Sequence, residues 1–61
     1  MKDYRFTSYF LINGEWLRSI STNSALTAIL DVKGNRKLFG YPSFYFDHKL
    51  NKVITVGYKH E

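Results

Sequence analysis

The sequence predicts a small α+β domain: an antiparallel four-stranded sheet with one helix, in the order β-β-α-β-β. Three observations point there. Asn13-Gly14 separates two aromatic-rich segments, Ser21-Thr22-Asn23-Ser24 precedes an aliphatic stretch, and Lys49-Leu50-Asn51 divides a second pair of aromatic and branched runs. An all-β small barrel is the alternative, and it differs in making residues 25–33 a strand.

Residues 4–12 and 15–20 flank Asn13-Gly14, whose ease in left-handed conformations makes it the strongest short-range hairpin signal. Segregation of side chains sets the expected register, because a slip of one residue exchanges the faces of a strand. A bulged three-residue turn at Gly14 opposes Phe10 to Trp16, Ser8 to Arg18 and Phe6 to Ile20. It gathers Tyr4, Phe6, Phe10, Ile12, Trp16 and Ile20 on one face and leaves Arg5, Thr7, Tyr9, Leu11, Glu15, Leu17 and Ser19 on the other. A tight two-residue turn would pair Leu11 with Trp16 and Phe10 with Leu17, with large apolar groups on both faces, so the bulged register is the expected one. Arg18 then lies among Phe10, Trp16 and Ile20, where it either snorkels over a ring or marks a register error.

The cluster from Ser21 to Ser24 offers side-chain oxygens to the free N–H groups of a first helical turn. Leu26, Ile29, Leu30 and Lys33 then fall on one stripe, and Gly34-Asn35 suits a left-handed stop. Asp31 near the negative end of the dipole and the β-branched Thr27, Ile29 and Val32 oppose a helix. A strand over 26–32 that turns at Gly34-Asn35 is the competing reading. On the helical one, Lys33 to Lys37 form a basic connecting turn, and Pro42, with no N–H to donate, marks a break before the next strand.

The last third reads as a second hairpin, residues 43–48 and 52–58, with Asn51 in the left-handed region of its turn. Pairing Phe46 with Ile54 and Phe44 with Val56 places Phe44, Phe46, Ile54, Val56 and Tyr58 towards the helix. Tyr45, Asp47, Val53, Thr55 and Lys59 then face away.

With 61 residues the expectation is a single domain spanning 1–61 and one thin core, since a chain of this size buries only about 60% of its unfolded surface. Absence of cysteine removes disulfides and thiolate metal sites, so further stabilisation would have to come from association. No apolar run is long enough to span a membrane, and Lys2-Asp3-Tyr4-Arg5 is not the start of a signal peptide; the expected location is cytoplasmic. The lean towards Phe, Tyr, Ile, Asn and Lys suits an AT-rich genome, as in many phages and mobile elements, and so a small accessory protein acting on a host factor.

Chemistry-bearing residues are sparse. Asp47 and His48 are adjacent and would point to opposite faces of a strand, so they form no orienting pair, while His60 and Glu61 lack further metal ligands at any recognisable spacing. Carboxylates do not pair at catalytic spacing and Lys33-Gly34-Asn35-Arg36-Lys37 is no phosphate loop, so neither an enzyme nor a cofactor is expected. The expected function is a binding module that modulates a protein partner, with self-association included. Its surface would be the outer sheet face carrying Arg5, Tyr9, Leu11, Leu17, Tyr45, Val53 and Thr55. The alternative is a nucleic-acid binder that holds phosphates with Lys33, Arg36, Lys37, Lys49 and Lys52 while tyrosines stack on bases, in keeping with a net charge of +4. Geometry separates the two: basic groups and exposed rings on one face favour nucleic acid, and their divergence favours protein.

Overall fold

A computed structural model describes residues 3–55. Asn13 and Gly14 adopt φ values of 51° and 79°, the two consecutive left-handed residues of a tight hairpin turn whose twist matches its flanking strands. They join β1 (Phe6–Ile12) to β2 (Glu15–Thr22), with Ile12 opposite Glu15, Leu11 opposite Trp16, Phe10 opposite Leu17 and Tyr9 opposite Arg18. The expected bulge at Gly14 is therefore corrected to a two-residue turn. A bulge does occur, but farther along, where Ser19 and Ile20 of β2 together oppose Ser8 of β1 and Phe6 then meets Thr22.

Helix α1 (Ala25–Phe39) starts as expected: the Ser24 hydroxyl accepts from the Thr27 N–H at 3.2 Å, and the Ser24 carbonyl accepts from Ala28. It does not stop at Gly34-Asn35. It continues to Gly40, which takes the left-handed cap conformation at φ 72° while the N–H groups of Gly40 and Tyr41 bond the carbonyls of Arg36 and Asn35. The helix survives Gly34 because Asn35 is anchored from outside it. Its side-chain amide donates at 3.3 Å to Ser43 beyond the helix and, one turn back within it, to Asp31 at 3.3 Å, and both bonds oppose glycine's helix cost of about 1 kcal/mol. Lys33, Arg36 and Lys37 are consequently helical, not part of a turn.

Strands β3 (Ser43–Asp47) and β4 (Lys52–Ile54) form the second hairpin, with Asn51 at φ 57° in its turn. All pairings are antiparallel and the open sheet runs β2-β1-β3-β4, so the barrel alternative is not needed. The pairing of Phe46 with Val53 and of Tyr45 with Ile54 is offset by one residue from expectation. The strand that changes face is β3: Tyr45 and Asp47 lie towards the helix and Phe44 and Phe46 away from it, while Ile54 and Val53 of β4 keep their expected sides. Val56, Tyr58, Lys59, His60 and Glu61 are outside the described residues.

The helix covers one face of the sheet around Phe6, Ala28, Val32 and Tyr45, with Ile29 and Ile54 packed against them and the Phe6 and Tyr45 rings edge to face at 5.5 Å. Beside this small apolar cluster runs a polar seam. Ser8, fully buried, donates to Asp31 at 2.6 Å and accepts from the Ile20 N–H, while Ser43 donates to the Tyr9 carbonyl at 2.6 Å. Every buried side-chain nitrogen and oxygen among the described residues has a partner.

Candidate interaction surface

Alternation along the strands sends a second set of side chains to the face that the helix does not cover. Tyr9 and Leu11 come from β1, Trp16 from β2, Phe44 and Phe46 from β3, and Val53 from β4. Their rings touch: Trp16 and Phe44 meet with centroids 4.9 Å apart, and Tyr9 and Phe44 at 5.3 Å. Trp16 is 48% exposed and Val53 55%, and none of the six is buried. An apolar patch of this kind, held on a rigid sheet with rings already fixed by neighbours, has the composition of an interface core.

Polar groups border the patch. The His48 ring lies 5.0 Å from the Phe46 ring, and its Nε2 is 2.8 Å from the Thr7 hydroxyl, which in turn lies 3.4 Å from that of Ser21. These groups, with Asp3, Tyr4 and the exposed Arg18, line an open depression next to the aromatic rings. Arg18 lies across from Tyr9, which settles its earlier ambiguity as a register error.

Of the residues expected on this face, the structure puts Tyr9, Leu11 and Val53 there. Tyr45 is only 7% exposed and packs under the helix, a direct result of the one-residue offset in the second hairpin. Leu17 pairs with Phe10, on the helix side of the sheet at its β2 edge. Thr55 is exposed just beyond β4. Arg5 is drawn away by Asp47, which its Nε and Nη2 bind at 3.0 and 2.9 Å. This fork, together with the N–H groups of Leu50 and Lys49, holds the Asp47 carboxyl at about 2, below the usual carboxylate range, and Asp47 in turn raises the Arg5 guanidinium.

The basic residues lie elsewhere. Lys33, Arg36 and Lys37 are carried by α1 on the far side of the sheet, and the Arg36 Nη2 donates to the Ser43 carbonyl at 3.1 Å. Lys49 follows β3 in the turn and Lys52 opposes Asp47 in β4. The lysines and Arg36 thus lie away from the rings of the open sheet face, where Arg18 sits opposite Tyr9, although Arg36 and Lys37 share the last turn of α1 with the exposed Phe39, which stacks on Tyr41 at 5.7 Å.

Trp16, Phe44 and Phe46 are the surface residues that sequence reasoning assigned to the core. For Trp16 the signal was Asn13-Gly14, which favours the two-residue turn and with it the open placement of that ring; Phe44 and Phe46, flanking Tyr45 in one aromatic run, carry no such signal. Among the described residues no three His, Cys, Asp or Glu side chains gather to hold a metal, and no helix is long and apolar enough to cross a membrane. Searches against family models, curated proteins and solved structures found no match.

Proposed function

We propose that this chain is a non-enzymatic binding module whose partner is a protein, engaged through the open aromatic face of the sheet. One observation carries the reading: the helix layer leaves Tyr9, Leu11, Trp16, Phe44, Phe46 and Val53 uncovered, while Lys33, Arg36 and Lys37 lie on the opposite side. A single-strand binder needs cations beside its stacking rings to follow the phosphates. Among the described residues of this face Arg18 is the cation. Tryptophan and other aromatic anchors bordered by polar groups such as Thr7, Ser21 and His48 match instead the apolar centre and wet rim of a protein interface.

The test is capture by the tagged chain from lysate, with and without nuclease, using two variants in parallel. Retention of a defined protein after nuclease, lost in Trp16→Ser/Phe44→Ser and kept in Lys33→Ala/Lys37→Ala, supports the reading. Recovery of nucleic acid alone, sensitive to the lysine variant and falling steeply with salt, overturns it.

A further inference from the structure

We infer that the protein which covers the open sheet face is a second copy of this chain, the two sheets packed face to face with their helices outward. The inference rests on the proposed protein-binding role and names the partner for it.

Area is the first ground. Four strands about 4.8 Å apart and of these lengths present a plane of roughly 400 Å². With the relief of the side chains this is roughly 600 Å² of accessible surface, so a symmetric pair buries about 1,200 Å², where specific interfaces begin. Two such sheets stack about 10 Å apart, the thickness of one interdigitated layer of side chains.

Charge is the second ground. The chain carries a net +4, and self-association of any basic surface would oppose like charges. Lys33 and Lys37 share the outward side of α1 with Leu26 and Leu30, so a helix-to-helix pair would bring lysines together. The open sheet face holds Arg18 with Asp3 at its border and is otherwise uncharged among the described residues. Face-to-face packing sets that near-neutral surface against itself and leaves the basic helices to solvent, far apart.

The distribution of apolar residues is the third ground. Beneath the helix the buried apolar residues are Phe6, Ala28, Val32 and Tyr45, whereas the rings of Tyr9, Trp16, Phe44 and Phe46 all lie on the other side. A two-fold related copy brings the same set to meet them, giving the pair a second and more aromatic core than the single chain owns.

Sedimentation equilibrium of the full chain over a concentration series, with the emission of Trp16 recorded in the same samples, tests this; Trp16 is the sole tryptophan, so its emission reports this face alone. Expected are a monomer–dimer equilibrium, a blue shift of Trp16 that tracks dimer formation, and a dissociation constant raised about thirtyfold or more in Phe44→Asp. The wild-type emission needs no variant, so a poorly folded Phe44→Asp does not obscure the answer. A chain that stays monomeric with unshifted emission overturns the dimer, as does a dimer whose formation leaves Trp16 unmoved. If the monomeric chain still retains a nuclease-resistant partner that Trp16→Ser/Phe44→Ser loses, the dimer alone has failed and the binding role stands. If that capture is absent too, both have failed.

Discussion

The two faces of this sheet are built on opposite plans. The face under the helix combines a few apolar groups with short polar ones: Ser8 reaches Asp31, and Asn35 bridges Asp31 and Ser43. The face away from it carries the rings of Tyr9, Trp16, Phe44 and Phe46, none of them buried. Where the helix docks, directional bonds fix one register and one height of helix over sheet. Where none of the described elements docks, area is concentrated. Position in a sheet therefore does not by itself mark the core; the covered face orders the molecule and the uncovered one offers it for contact.

The sharpest way to break this contrast is to remove the same residue type from each face. Phe6→Ala, on the covered face, is expected to lower unfolding stability by about 3 kcal/mol, and Phe44→Ala, on the open face, by less than about 1 kcal/mol, in urea melts run at low protein concentration. Equal losses would show that the open face is part of the monomer's core. Asn35→Ala should cost about 1–2 kcal/mol in the same assay, because the polar seam loses its shared donor although alanine favours the helix.

The helix ends sharpen the covered side further. Gly40→Ala should cost about 1 kcal/mol through its left-handed φ alone, since an added Cβ meets nothing within 4 Å. Gly34→Ala meets nothing either and sits inside the helix, so it should raise stability by about 0.5–1 kcal/mol, and thermal melts of the pair should move in opposite directions.

The smallest effect is a pH dependence. Asp47 titrates near 2 when folded and near 4 when unfolded, so its pairing with Arg5 contributes fully above about pH 4 and is lost as pH falls from there towards 2. Urea midpoints of the wild type should decline through that window, and Asp47→Asn should flatten the part of the decline that this group causes.

Much of the fold was legible because its punctuation is local. Asn13-Gly14, the Ser24 cap and Asn51 each act through their own backbone conformation, and each stands where the sequence put it. Register and facing were not legible, for a physical reason visible in the residues. Tyr9-Phe10 and Phe44-Tyr45-Phe46 are consecutive aromatics, so a strand built from them looks equally apolar on both sides and a one-residue offset leaves no trace in the alternation. That ambiguity is what exchanged Tyr45 with its neighbours and hid the open face. The helix end failed differently: Gly34-Asn35 is a good stop signal taken alone, and the bond from Asn35 to Ser43, outside the helix, together with its bond one turn back to Asp31, is what local sequence does not show.

The central position of β1 also sets the order in which the chain can be assembled. β1 meets β2 across a two-residue turn, a contact available early and quickly, but it meets β3 only after the whole of β2 and α1 has been threaded past it. The Arg5–Asp47 fork and the His48-to-Arg5 backbone bond, both at the far end of that ladder, close the largest loop among the described pairings. On a ribosome the first hairpin waits with one edge of β1 unsatisfied until β3 emerges, so the interval before that arrival is when this chain is most open to pairing with the wrong strand.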